Sequence, residues 1–153
     1  MGSITILEIA DAIEATLGAA TGIVKSQSQD ELTEGIQDTP LLQVYWAGFE
    51  KSAGSNTDRR TFGTPQTPPI RQTLHTFRAD VLARQRSHVD LDMAKVAETS
   101  EAVDAVLEEQ NVFPYFGRSE IKAFRYTCEF VMFQSSDQVL YAGERFTIEI
   151  TLF

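Results

Sequence analysis

The chain has a single cysteine, Cys128, and two histidines, His75 and His88. One thiol excludes an intrachain disulfide and suits a reducing compartment. No cysteine, second histidine or carboxylate stands at metal-ligand spacing from His75, and His88 precedes a helix, where it is expected to be exposed. The phosphate loops GxGxxG and GxxxxGK[ST], the GxSxG elbow and HExxH are all missing, so neither nucleotide binding nor these hydrolase chemistries has support. Positive charge is scarce, with 13 Lys and Arg against 22 Asp and Glu and a formal net charge of −9. Affinity for phosphate backbones comes from basic residues, so this chain is not built to grip nucleic acid. No apolar run approaches the roughly 20 residues that span a bilayer. Nor does a basic segment followed by an apolar run open the chain, as a signal peptide would. Internal repeats are missing too.

What is present fits one globular domain: 153 residues, 42% hydrophobic and 23% charged, a balance that separates it from disordered chains. The strongest pattern is a pair of alternating stretches, Ile121 to Phe133 and Val139 to Phe153, joined by the turn-forming cluster Ser135-Ser136-Asp137-Gln138. In the first, Phe124, Tyr126, Cys128, Phe130 and Met132 share one face, against Arg125, Thr127 and Glu129. In the second, Phe146, Ile148, Ile150 and Leu152 oppose Arg145, Thr147, Glu149 and Thr151. Strand side chains alternate between faces, so the pair predicts an antiparallel hairpin with one core face and one polar face. Cys128 falls on the core face, where it packs as a small hydrophobe.

Earlier in the chain, Thr5 and Glu8 form a capping-box pattern, and Ile6, Ile9, Ala10, Ile13 and Leu17 recur at helical spacing. They predict a helix over Thr5–Leu17, ended by Gly18. Ile23 and Val24 suit a short extended piece. A strand follows over Leu41–Lys51, with Leu42, Val44 and Trp46 on one side and Leu41, Tyr45 and Phe49 on the other. Arg71–Arg84 predicts another, with His75 on the Phe77 side. Between them, residues 52–69 make a Gly/Ser/Thr/Asn/Pro-rich connection far longer than an ordinary hairpin loop. Its Asn56, Arg59, Arg60 and Phe62 are candidate contacts to a neighbouring subunit. A second helix, from His88 to Gln110, buries Val89, Met93, Val96, Ser100, Val103 and Leu107. Its outer side carries Glu98, Glu101, Asp104, Glu108 and Glu109. The predicted class is α+β: a mixed, mostly antiparallel sheet of about four long strands with two helices, in the order α-β-β-α-β-β.

This layout, with the stretch Tyr141-Ala142-Gly143-Glu144-Arg145-Phe146 and the strand opening Pro40 to Trp46, resembles the tail terminator (head–tail joining) proteins of tailed bacteriophages. The resemblance implies a non-enzymatic virion protein, without cofactor or metal, assembled in the host cytoplasm. Such proteins form a ring, typically a homohexamer, that caps the tail tube and ends its polymerisation. The implied partners are further copies of the chain, the tail tube protein, the head-side connector or neck protein, and the tail sheath where there is one. Genomic DNA would pass through the lumen without specific binding, and no membrane is involved. By position, residues 52–69 correspond to the family's extended loop. Two alternatives remain open: another tail or neck subunit, or a small-molecule binding module or enzyme with an aromatic pocket around Trp46, Phe113, Tyr115 and Phe116.

Overall fold

Helix α1 (Ile6–Leu17) starts where its cap is written. The Thr5 hydroxyl accepts from the Glu8 N–H at 3.1 Å, while the Glu8 carboxylate takes the Thr5 hydroxyl and pairs with Arg118. The stripe of Ile9, Ala10, Ile13 and Leu17 is fully buried. Gly18 ends the helix for a steric reason and not by a left-handed turn, for its φ is −64°. A Cβ there would lie 2.8 Å from Ser26 Oγ and 2.9 Å from the Glu14 carbonyl, so glycine lets the next strand pass close to the helix end. Ser26 in turn donates to Glu14 Oε1 at 2.7 Å.

The remaining elements are β1 (Lys25–Gln27), β2 (Leu41–Lys51), β3 (Thr73–Gln85), α2 (Val89–Glu108), a short 3-10 turn at Tyr115–Gly117, β4 (Ile121–Gln134) and β5 (Leu140–Leu152). The computed structural model describes residues 4–28, 39–51, 73–85, 89–134 and 138–152. The strands form one sheet in the order β1-β2-β3-β5-β4. β1 runs parallel to β2, and every other neighbouring pair is antiparallel. The α+β class and the four long strands match the sequence pattern. The fifth strand, β1, lies just beyond the expected extended piece at Ile23–Val24 and changes the order to α-β-β-β-α-β-β. Both helices pack on one face of the sheet, α1 on β2 and α2 on β3 and β5. The core there joins Leu42, Val44, Phe77, Ala79, Val81, Phe146, Ile148 and Ile150 to the helix stripes. A smaller cluster of Leu41, Leu82 and Tyr141 lies apart from it.

Three side-chain assignments change. In β2, a bulge between Trp46 and Gly48 inserts a residue, so Trp46 and Phe49 end on the same face and stack at 6.1 Å. An uninterrupted alternation would have separated them. On α2, Met93 is exposed, while Asp92 and Thr99 are buried. The sheet-facing row is thus Asp92, Val96, Thr99, Val103 and Leu107, and Arg84 pairs with Asp92 at 3.1 Å. The largest change is in β4. Phe124 and Tyr126 are half-buried, but Cys128, Phe130 and Met132 are exposed. They do lie on the helix-side face, opposite Phe146, Glu144 and Ala142. However, β4 is an edge strand and α2 packs mainly on its inner neighbours, so among the described residues that half of it stays largely open.

Gly143 is where the sheet is tightest. A Cβ there would lie 2.0 Å from the Val81 carbonyl oxygen of β3 and 2.9 Å from the Phe133 ring of β4. The Val81 contact involves backbone, which cannot swing aside as a side chain end can. Gly143→Ala is therefore expected to destabilise the protein by about 3 kcal/mol or to prevent folding, through overpacking. Urea unfolding followed by circular dichroism would read this; an unchanged midpoint would mean that β3 and β5 separate freely at this point.

Candidate functional site

The two faces of the sheet treat charge differently. Opposite the helices, Gln43, Tyr45, Arg78, Asp80, Arg125, Glu129, Arg145 and Glu149 share a face, as the strand register requires. At its centre Asp80 is nearly fully buried and held from two sides. Arg145 Nε donates to Oδ1 at 2.8 Å and Nη2 to Oδ2 at 3.3 Å, while the Tyr45 hydroxyl donates to Oδ2 at 2.7 Å. A two-pronged guanidinium contact of this kind fixes geometry as well as charge. Burial, followed by the Asp80 contact, pushes the Tyr45 hydroxyl above its ordinary pKa. The Arg145 guanidinium also lies over the Phe133 ring, 5.7 Å from its centroid. Near the other end, Arg125 pairs with Glu149. This is an ordered, mixed-charge surface with no helix on it among the described residues.

On the helix side, a carboxylate is enclosed in the core. Glu144 is 1% exposed, in the row that holds Phe146, Ile148 and Ile150. The Thr99 hydroxyl of α2 lies 2.7 Å from Glu144 Oε1, and Oε2 is buried without a hydrogen-bond partner among the described residues. Thr99 Oγ1 also stands 3.2 Å from the Lys95 carbonyl and 3.1 Å from that of Val96. One hydroxyl proton cannot serve three acceptors. A protonated Glu144 can donate to Thr99, leaving the Thr99 proton for the helix. Burial pushes the Glu144 carboxyl up to about 7, against smaller opposing pulls from the Thr99 and Ser100 hydroxyls. Cys128 is the nearby thiol on β4; although the residue is exposed, partial desolvation, followed by the nearby carboxylates, raises its pKa as well. A raised thiol pKa disfavours the thiolate that nucleophilic chemistry needs.

The aromatics expected around one pocket fall into two separate ladders. Trp46 stacks on Phe49, which meets His75, and Trp46 Nε1 donates to His75 Nδ1 at 3.2 Å. Phe113, Tyr115 and Phe116 lie with β4: Tyr115 meets both Phe113 and Phe124, and Phe116 meets Phe124 at 4.9 Å. An open groove beside them is lined by Leu107, Gln110, Tyr115, Phe124 and Tyr126. Burial, with a 2.6 Å hydrogen bond to Asp104, pushes the Tyr126 hydroxyl up to about 12. The loop candidates Asn56, Arg59, Arg60 and Phe62, and also His88, lie outside the described residues. Among the described residues no cluster of His, Cys, Asp and Glu could hold a metal ion. Sequence reading missed Glu144 and Asp92 as buried acids. The signal for Glu144 was its phase with Phe146, although a charged residue in a core row is normally assigned to solvent. No protein-family model matches this chain, and no curated protein matches it either.

The enclosed acid gives a pH dependence of definite sign. Glu144 binds its proton more tightly when folded, with its pKa moved from 4.5 to about 7. Its contribution is therefore greatest at low pH and falls as the pH rises from about 4.5 toward 7, by on the order of 3 kcal/mol. Glu144→Gln keeps the acceptor for Thr99 but cannot ionise. The variant should be the more stable protein at about pH 8, with the difference closing near pH 5. Parallel stability profiles for the two proteins would show that Glu144 ionises without penalty.

Proposed function

We propose that this chain is a ring-forming structural subunit of a phage tail, a tail terminator that caps the tube and joins it to the head-side connector. The observation that carries the reading is the pairing of β2 with β3 up to Lys51 and Thr73. The connection made by residues 52–72 thus begins and ends at adjacent strand ends, where a few residues would suffice. A connection so far beyond the geometric need fits an arm that serves contacts with other subunits or the tube. Two further features support the reading. Among the described residues the sheet has a broad face without helices, ordered by Asp80 and Arg145, of a kind suited to docking another protein. The net charge of −9 suits a lumen through which DNA passes without being held. No helix among the described residues is long and apolar enough to cross a membrane. The working location is the virion, at the junction of head and tail.

Light scattering on a sizing column, with the chain alone and mixed with tail tube protein, tests the reading. A closed hexamer on the tube end is expected. Deleting Asn56 to Thr67 should leave the circular dichroism spectrum and melting unchanged while abolishing capping, since closure entropy varies slowly with loop length. If the intact chain neither closes into rings nor binds tube, the terminator reading fails. Open filaments would instead mark a tube-type subunit, because contacts that do not close give fibres.

A further inference from the structure

β4 is the outer strand of the sheet, and among the described residues no strand pairs with its free edge. Free edges normally carry protection such as proline, repeated lysine, an interrupting bulge or a covering element. β4 has no proline, and its register shift falls at its very start, between Ile121 and Ala123. Beyond that point it is regular and open: Phe130 is 47% exposed and Met132 36%. Because α2 packs mainly on β3 and β5, no helix among the described residues overhangs the edge to block another strand.

The open stretch is self-complementary about Thr127. Its sequence is Phe124-Arg125-Tyr126-Thr127-Cys128-Glu129-Phe130. Two copies laid antiparallel with Thr127 opposite Thr127 set Phe124 against Phe130, Arg125 against Glu129 and Tyr126 against Cys128, each pair occurring twice. Faces are preserved, since even-numbered residues meet even-numbered ones on the helix side and odd-numbered ones meet on the open face. Moving the centre to Tyr126 sets Arg125 against Thr127, and moving it to Cys128 sets Arg125 against Val131, so the charge match is lost. Arg125 can accept a second carboxylate, for its side chain is 78% exposed while it pairs with Glu149.

We propose that two copies of this chain join edge to edge through β4, with Thr127 on the twofold axis, so that two five-stranded sheets become one continuous sheet. Directly opposite aromatic and opposite-charge pairs are the stabilising unit of such a contact. The partner is a second copy because the strand complements itself in both charge and shape. A cyclic ring uses head-to-tail contacts, whereas this contact is isologous, so the proposal does not rest on the ring reading.

The test uses the full chain carrying Cys128→Ser, to remove the native thiol. Thr127→Cys then places two thiols directly opposite each other, where Cα atoms lie about 4.5–5.5 Å apart, within disulfide reach. Oxidation should yield a covalent dimer on a non-reducing gel. Ala123→Cys in the same background, whose twin lies at the far end of the paired segment, should stay monomeric on that gel. Glu129→Arg, in the otherwise native chain, should weaken the dimer by about tenfold, read by sedimentation, and adding Arg125→Glu should restore it. Circular dichroism checks that each variant is folded. No cross-link at position 127, equal cross-linking at position 123, or a folded charge-swapped variant that stays dissociated would overturn the proposal. A ring without the position-127 cross-link would sink it while leaving the ring reading intact.

Discussion

The fold depends on β5 lying between β3 and β4. This strand follows all the other elements in the chain, yet it pairs along nearly its whole length with both neighbours. Three consecutive residues fasten the layers together. Gly143 admits the β3 backbone, Glu144 points into the helix layer to meet Thr99, and Arg145 points the other way to grip Asp80. The stretch that stood out as a motif in the sequence is thus the place where sheet, helix layer and open face are joined. Because β3 and β4 meet only through β5, the sheet cannot close until this late segment arrives. Such non-local pairing slows folding relative to helical proteins of similar size.

Two buried carboxylates mark opposite ways of enclosing an acid. Asp80 is surrounded by donors, one of them a guanidinium, and stays at a surface that can serve docking. Among the described residues Glu144 has hydroxyls for company and no cation, so its neutral form is the one that fits. The first arrangement fixes a geometry. The second makes the fit between α2 and the sheet depend on a proton.

Much of this was legible in the residues, and the failures have definite causes. The cap at Thr5 and the α1 stripe were readable because both depend on local spacing, as was the β4–β5 hairpin. Alternation also named the correct face for Cys128, Phe130 and Met132. It could not say whether anything covers that face, which depends on where α2 comes to lie. The bulge after Trp46 leaves no mark in a pattern of period two until the partner strand is known, so Phe49 was placed on the wrong face. A three-residue strand such as β1 is too short to show any period. On α2, Met93 was the better hydrophobe for the buried row, but Arg84 makes Asp92 the better fit. Of the site, the mixed-charge face was legible and the depth of Asp80 within it was not. Asn56, Arg59, Arg60 and Phe62 lie beyond what the described residues can place.

Trp46 is the chain's only tryptophan, and its indole N–H is committed to His75. It sits beside the β2 bulge, a few residues before the connection at 52–72 begins. Tryptophan fluorescence, excited selectively over that of the tyrosines, therefore has one source, at the end of the sheet from which that connection departs. The native chain carries its own optical probe of events there, with no label to attach.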